Sequence, residues 1–377
     1  MNKYPNVQIR KIESYSLPAL QEAVASFLEN VPHSKINRPK RVLLKPNLLG
    51  AFSPEKAVTT HPVVMEALVR HFLDLGKEVW IGDSPGGILK AESVWETCGM
   101  KDLAERYPVK LVNLSTAGFR ELEYEGVSVK ISEVFWQCGI VINVAKYKTH
   151  SLMAFTGGLK NLYGLIPGLA KTDYHRMYPT TGDFARLLLT LYALTKSHVT
   201  YSFIDGITGM DGPGPSAGRV RNFGLLLGST SISALDHIAA RLMGFGLEDV
   251  PYLVPALHQD GVLPSRVRIP TSFRDFKLQD VDINLAKLAK NLLKYIPGAA
   301  QKLFRNLYDK APVISGRCKK CGICVENCPV QAISPASPSR FPRIDPAKCI
   351  KCMCCHELCP YQAIDIERKL LARLVLK

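Results

Sequence analysis

Short β-rich runs alternate with helical stretches through the first two-thirds of this 377-residue chain, and eight cysteines gather in two runs near its carboxyl end. The alternation predicts an α/β fold with a largely parallel sheet, in one lobe or two. The cysteine runs predict a small α+β module after it. Composition places the bounds at 1–275 for the α/β part, 276–311 for a basic helical linker and 312–377 for the cysteine-rich module.

Arg41–Lys45 (RVLLK) reads as a buried strand. Pro62–Leu75 has helical periodicity, with Gly76 as its stop. Glu78–Gly82 (EVWIG), Lys110–Leu114 and Gly139–Val144 (GIVINV) are the next strands. Asp183–Leu194 is apolar enough for a buried helix; Tyr201–Asp205 (YSFID) and Phe223–Gly228 (FGLLLG) are strands, and Ser233–Met243 is a helix carrying His237 and Arg241. Ile283–Asp309 reads as two amphipathic pieces broken at Pro297-Gly298, with Lys287, Lys290, Lys294, Lys302 and Arg305 on the polar side. Such a segment is a packed helix with a solvated cationic face, bridging to the last module. The tail Arg368–Leu376 reads as a short basic helix packing back on the protein.

The cysteines fall as Cys318-x2-Cys321-x2-Cys324-x3-Cys328-Pro329 and again as Cys349-x2-Cys352-x2-Cys355-x3-Cys359-Pro360. This spacing holds [4Fe–4S] clusters in bacterial-type ferredoxins, where the fourth cysteine ligates the other cluster. Cys318, Cys321, Cys324 and Cys359 then hold one cluster, and Cys349, Cys352, Cys355 and Cys328 the second. The runs are also a repeat: Cys318 maps on Cys349, and Gln331-Ala332-Ile333 on Gln362-Ala363-Ile364, an offset of 31. Zinc sites use separated Cys-x2-Cys pairs instead, and disulfides belong to secreted chains. Cys354 aligns with Ile323 and reads as a small packing residue, while Cys98 and Cys138 read as buried thiols.

At 47% hydrophobic the composition is globular, and no apolar run approaches the ~20 residues of a membrane helix. Met1–Arg10 lacks a signal-peptide pattern, so a cytoplasmic location is expected. The formal charge is +15. Eight thiolates around two cores of about +2 each would remove about 4 units and leave about +11. Arg266–Lys320 alone holds thirteen Lys/Arg against four Asp. This balance favours anionic substrates and acidic partners. No helix-turn-helix, RNA-recognition motif or aromatic platform is present, and nucleic acid is not expected as a partner.

In open α/β sheets, ligands bind beyond the carboxyl ends of the strands. Those ends carry Lys45 and Asn47, then Asp83 and Ser84, then Lys146, Lys148, Thr149 and His150, then Asp205 and Asp211. Between Lys146 and Lys171, the residues Lys146, Lys148, His150, Lys160, Asn161 and Lys171 alternate with Gly157, Gly158, Gly164 and Gly168. Glycine-exposed amides beside lysines make an anion cradle for a carboxylate or phosphate. Gly158-Leu159-Lys160-Asn161 lacks the Walker spacing, and Pro85 interrupts the turn of Gly82–Gly87 that a dinucleotide fingerprint would need. His61 stands at a helix entrance where Thr59 or Thr60 is the expected cap. His61, His150 and His175 are candidates for proton transfer or metal ligation.

Six of these segments together resemble a known family. Lys45-Pro46-Asn47, Thr59-Thr60-His61-Pro62, Gly82-Asp83-Ser84-Pro85-Gly86, Lys146-Tyr147-Lys148-Thr149-His150, Gly158 through Gly164 and Asp205 through Met210 are similar to motifs of the domain of unknown function 362 family. The resemblance covers roughly residues 40 to 260. Members often carry a C-terminal dicluster ferredoxin module. The family also looks remotely similar to the α/β fold of nickel-pincer-dependent lactate racemases, which would imply a carboxylate site between two lobes. Fold analogy transfers no reaction.

The expectation is an iron–sulfur redox protein in which two [4Fe–4S] clusters relay electrons to an anionic substrate or further cofactor in the α/β domain. Lys45, His61, Asp83, Lys146, Lys148 and His150 are the candidate catalytic residues. Asn47, Ser84, Lys160 and Asn161 are the candidate binding residues. The alternative is a ferredoxin-like carrier whose α/β part docks a redox partner protein, with Arg317, Lys319, Lys320, Lys348 and Lys351 near the cysteines attracting it.

Overall fold

The computed structural model describes residues 5–270, 272–283 and 310–368. The amphipathic pieces expected over 283–309 and the helix expected at the carboxyl tail therefore fall almost wholly outside the described residues. The strands, in chain order, are β1 (Gln8–Lys11), β2 (Arg41–Lys45), β3 (Glu78–Asp83), β4 (Val109–Asn113), β5 (Phe119–Tyr124), β6 (Val127–Ser132) and β7 (Ile140–His150). They continue with β8 (Ala154–Thr156), β9 (Tyr201–Asp211), β10 (Arg219–Ser229), β11 (Lys310–Ile314), β12 (Ile333–Ser334), β13 (Arg343–Ile344) and β14 (Ile364–Arg368).

One eight-stranded sheet forms the α/β part, in the order β1-β10-β9-β7-β2-β3-β4 with β8 paired to β7. From β9 to β4 the neighbours are parallel, while β10 is antiparallel to both β1 and β9. Parallel strands are buried on both faces, which is why these read as near-continuous apolar runs. Alternation then assigns the faces. Leu43, Trp80, Val141 and Ala145 pack in one core with Leu188 and Tyr192 of the helix Thr181–Thr195 and Leu235 of the helix Ile232–Leu242. Val42, Leu44, Val79 and Ile81 pack in the other with Phe27 of the helix Leu17–Leu28 and Leu68 of the helix Pro62–Asp74. Gly76 closes the latter helix at φ +68°, a left-handed value that glycine adopts without strain.

Two strands outrun the sequence expectation. β7 continues six residues past Val144 and β9 six past Asp205, so Lys146, Lys148, Thr149 and His150 lie in strand and not in a following loop. The extension is held by β8, which pairs Lys148 with Thr156 and His150 with Ala154, and by continued pairing to β9 across a register shift between Lys146 and Lys148. Residues 276–283, read as linker, pack on the sheet domain instead: Phe276 joins its core and Asp282 N donates to Asp211 Oδ2 at 3.1 Å.

The last module joins β11 to β14 and β12 to β13 around Cys324, Ile333, Cys355, Cys359, Ala363 and Ile364. The offset of 31 reappears in the backbone. Lys320 and Lys351 have φ of 58° and 57°, and Gln331 and Gln362 both have 50°. These are non-glycine residues held left-handed at matched places in each cysteine loop.

Candidate functional site

Each cysteine quartet is built by the repeat. Ala332 N donates to Cys328 Sγ at 3.2 Å, and its counterpart Ala363 N to Cys359 Sγ at 3.3 Å. Burial, then the proximity of Cys321, Cys359 and Cys318, pushes the Cys324 thiol up to about 11. Burial also raises Cys349, with Cys352 and Cys328 as its cysteine neighbours. Cys324 thus has Cys359 of the other run beside it, and Cys349 has Cys328. Among the described residues no three His, Cys, Asp or Glu converge to hold a single ion. Thiolates set around a volume suit a cluster with several iron corners, which takes up the thiol protons as it binds. Cys321 is exposed, whereas Cys352 and Cys355 are buried.

The module docks at the carboxyl edge of the sheet. Ile88 N donates to Asn327 Oδ1 at 3.1 Å, Ser216 Oγ to His356 O at 3.1 Å, and Gln362 Nε2 to Ser216 O at 2.7 Å. Both ring nitrogens of His356 face carbonyl oxygens, Ile364 O at 2.6 Å and Pro213 O at 3.0 Å. Between sheet and module lies a small cavity that opens to solvent at its mouth. Its α/β wall includes Asn47, Asp83, Ser84, Lys160 and Asn161, and its module wall is Asn327, Cys354, Glu357 and Leu358.

Lys45 lies directly behind this wall. Its Nζ donates to Asp83 Oδ1 and Pro46 O, both at 2.9 Å, while Asp83 also accepts from Leu48 N at 2.7 Å and Ser84 N at 2.9 Å. The pair sits under Gly164, where a β-carbon would stand 2.0 Å from Asp83 Oδ1. Asn161 Nδ2 donates to Asn143 Oδ1 at 2.8 Å. Lys160 has no ion-pair partner among the described residues, and its ammonium lies 5.2 Å from the Tyr163 ring centre. Burial lowers its pKa, partly offset by Glu357.

Two further residues complete the wall. Lys171 donates from Nζ to Ser84 O, and burial lowers its pKa to about 7. His175 stacks on Phe184 at 4.5 Å, and burial, then Lys160 and Lys171, lowers it to about 3. Several buried polar atoms of this wall have no hydrogen-bond partner: Asn47 Oδ1, Asn161 Oδ1, His175 Nδ1 and Glu357 Oε1. Buried polar groups are ordinarily satisfied, so orphans converging on one cavity mark a place for a ligand.

His150 and Lys148 stand behind Glu357. His150 Nδ1 accepts from Leu152 N at 3.1 Å, which leaves Nε2 carrying the proton, 3.3 Å from Glu357 Oε1. The approach is close, but it lacks hydrogen-bond alignment. Lys148 Nζ donates to Val58 O at 2.5 Å, and burial lowers it to about 7. Burial raises Glu357, against the pull of Lys160.

His61 and Lys146 stand apart from the cavity. Lys146 Nζ donates to Asp205 Oδ2 at 2.8 Å and to Tyr15 Oη at 2.9 Å, and Tyr15 stacks on His61 at 3.5 Å. Asp205 also accepts from His61 N at 3.0 Å. His61 is itself the helix cap, its Nδ1 accepting from Val63 N at 3.2 Å. Thr60, one of the two expected caps, instead donates to Val144 O at 2.8 Å. The expected anion cradle is also filled from within. The amides of Gly158 and Leu159 donate to Asp236 at 2.6 and 3.0 Å, and a β-carbon on Gly157 would meet Asp236 Oδ1 at 2.3 Å. Glycine does admit a carboxylate here, and it is the protein's own.

Tyr15, Asn327, Glu357 and Asp236 carried no recognisable signal, because each acts on residues more than 75 positions away in the chain. Lys171 was legible only as a member of the lysine-rich segment.

The sheet and its thiol-rich partner define an iron–sulfur protein of two modules. Residues 317–363 match a 4Fe-4S dicluster domain, and residues 42–241 match the family described as Domain of unknown function (DUF362), to which the chain belongs. A thylakoid-associated protein of Synechocystis sp. is 28% identical over 250 residues, covering 65% of this chain and 77% of its own. The lactate racemase apoprotein from Thermoanaerobacterium thermosaccharolyticum aligns at a TM-score of 0.41 and 12% identity, over 64% of this chain and 57% of that one. No described helix is long and apolar enough to cross a membrane.

Proposed function

We propose that this chain is an iron–sulfur oxidoreductase whose cavity holds an anionic substrate between the sheet and the cluster module. The observation that carries the reading is the shared wall: Cys354 and Glu357, flanking the cluster ligand Cys355, face Lys160 and Asn161 across one small space. When bound, two [4Fe–4S] clusters supply one electron each, received from a one-electron donor protein. Reduction of an unsaturated acid then consumes two electrons and two protons.

The residues have distinct parts in this. Lys160 neutralises and holds the anion. The unpartnered carbonyl oxygens of Asn47 and Asn161 accept from a hydroxyl or bound water carried beside the anionic group and fix its orientation. Lys171, with its pKa at about 7, gives up a proton readily near neutrality. Tyr163 and Leu358 narrow the space and keep water out.

The test is reoxidation of dithionite-reduced holoprotein by a panel of small 2-oxo and 2-enoic acids, followed by cluster absorbance. At least one acid should reoxidise the wild type, and Lys160→Met should slow it about a hundredfold. A panel with no active member, or an unaffected variant, removes the reading.

The carrier reading has one observation in its favour: Cys321 is exposed beside the exposed Arg317, Lys319 and Lys320. That basic edge would also serve as the port through which an acidic donor loads the clusters. Donor binding that is steeply salt-dependent, with no acid turned over, would favour the carrier.

A further inference from the structure

One amide on the cavity wall has its direction set by a chain of hydrogen bonds that starts in the backbone. Asn143 lies fully buried in β7, paired with Lys45 of β2 on one side and Ser202 of β9 on the other. Its Nδ2 donates to Gly158 O at 2.9 Å and to Ser202 Oγ at 3.2 Å. A carbonyl can only accept, so the Asn143 amide cannot be turned over, and its Oδ1 receives Asn161 Nδ2 at 2.8 Å. Lys45 O and Pro46 O also lie near Asn161 Nδ2, at 3.4 and 3.5 Å. Three oxygens around that nitrogen exclude the flipped amide at Asn161 as well. Its remaining group is Oδ1, which is buried and has no donor among the described residues, on a side chain that lines the cavity.

We propose that the cavity takes a small acid with a hydroxyl beside its anionic group, that Asn161 Oδ1 accepts from that hydroxyl, and that Asn143 is the positioning residue behind it. The inference rests on the anion-cavity reading above and names its substrate class. A buried acceptor of fixed direction asks its ligand for a proton, and a ligand without one leaves it unsatisfied. Charge selects a hydroxyl over an ammonium. Lys160 and Lys171 share the wall with Asn161, and the one carboxylate there, Asp83, is already bound to Lys45; Glu357 stands on the opposite wall.

The same acceptor separates the two kinds of unsaturated acid. A 2-oxo acid brings a carbonyl oxygen, and two acceptors set face to face repel. On its reduction the C=O π bond breaks, the carbon gains a C–H bond and the oxygen an O–H bond. Two electrons enter, one from each cluster, and the donor protein replaces them. Lys171 supplies one proton and solvent at the mouth the other. The new O–H then meets Asn161, an interaction that grows only as the hydroxyl forms and so favours the forward step. A 2-enoic acid gains two C–H bonds and offers Asn161 nothing.

The experiment is a calorimetric titration of full-length, oxidised holoprotein with butyrate, both enantiomers of 2-hydroxybutyrate, 2-aminobutyrate, and the shorter pair acetate and glycolate. In the wild type the better hydroxy acid of each length should bind at least about tenfold tighter than the acid lacking the hydroxyl. Asn161→Leu should erase that ratio and leave the binding of butyrate unchanged. Asn143→Leu should lower the ratio too, because the Asn161 amide is then free to turn. The ratio is read within each protein, so a general loss of stability does not imitate it. In the reoxidation assay 2-oxobutyrate should be consumed and 2-butenoate should not. Equal binding of acids with and without the hydroxyl, tighter binding of 2-aminobutyrate, or turnover of 2-butenoate alone would overturn the inference and leave the anion site standing. Binding of none of these acids, or binding that Lys160→Met does not weaken, would bring down the reading beneath it, and the inference with it.

Discussion

The side-chain oxygen of Asn327 occupies the space where a β-carbon of Gly87 would stand, 1.4 Å from that position. One is in the cluster module and the other follows β3, so a missing methyl group lets the modules meet. Asn327 then accepts from Ile88 N at 3.1 Å and fixes its own loop through Ile323 O at 2.9 Å. Pro85, which spoiled the dinucleotide fingerprint, precedes two glycines that serve docking: at Gly86 a β-carbon would lie 2.3 Å from Leu358 Cδ2.

Gly87→Ala should therefore loosen the interface for two reasons. Its φ of 60° costs a non-glycine residue about 1–2 kcal/mol, and Asn327 must be displaced. Asn327→Ala removes the collision but not the strain. A double-mutant cycle in urea should show a coupling of about 1 kcal/mol or more between the two positions. Additive effects would mean that the loops do not meet as described.

Lys146 and Lys160 come from one segment and have opposite situations. Lys146 is fully buried against Asp205, which also takes bonds from Tyr15 and His61. Lys146→Met leaves that carboxylate short of its counter-charge and should cost about 3–5 kcal/mol in denaturant unfolding. Lys160 neutralises no described carboxylate at ion-pair distance, and Lys160→Met should leave stability within about 1 kcal/mol of wild type while abolishing anion binding. A Lys160 variant as unstable as the Lys146 variant would place Lys160 in the framework instead.

The sequence exposes what is local. Apolar runs such as Val42–Leu44 announced buried parallel strands, and the spacing Cys318-x2-Cys321-x2-Cys324 announced a cluster loop, because in each case the physics acts within a few residues. Asn47, Asp83 and Ser84 were found from the rule that strand ends bind ligands, and Lys160 and Asn161 from the lysine- and glycine-rich segment; the structure does bring all five to one wall. The rule could not tell a cavity from a filled niche. Asp236 plugs the glycine cradle from 77 residues away, and Asp205 occupies Lys146 through a parallel register that no periodicity reveals. Nor could it supply the opposite wall, since Glu357 and Cys354 sit among cluster ligands and meet the sheet only after both modules have folded.

Acid and base should act on stability through Lys171. Its folded pKa, about 7, lies below the ordinary 10.5 because burial disfavours the cation. Between those values the unfolded chain binds a proton that the folded chain does not, so this group makes stability rise with pH from about 7 to 10.5. Below about 7 both states are charged and the burial penalty is present in full. Lys171→Met removes it. The variant should gain on wild type at pH 6, and its advantage should shrink steadily toward pH 10, measured by urea midpoints under anaerobic conditions. An advantage that grows with pH would reverse the assignment.

Crossed fourth ligands, as the cysteine spacing leads one to expect, make a prediction that differs from chain order. Cys359 ends the second run, yet its neighbours include Cys324, and Cys328 of the first run lies by Cys349. Cys359→Ser and Cys321→Ser should each disturb the same cluster, leaving about four of eight irons in the protein. The double variant should then lose no more iron than either alone, because both substitutions strike one site. Cys359→Ser combined with Cys352→Ser should lose both clusters. Were the ligands uncrossed, the two outcomes would exchange: the Cys321 pair would empty the protein and the Cys352 pair would spare one cluster.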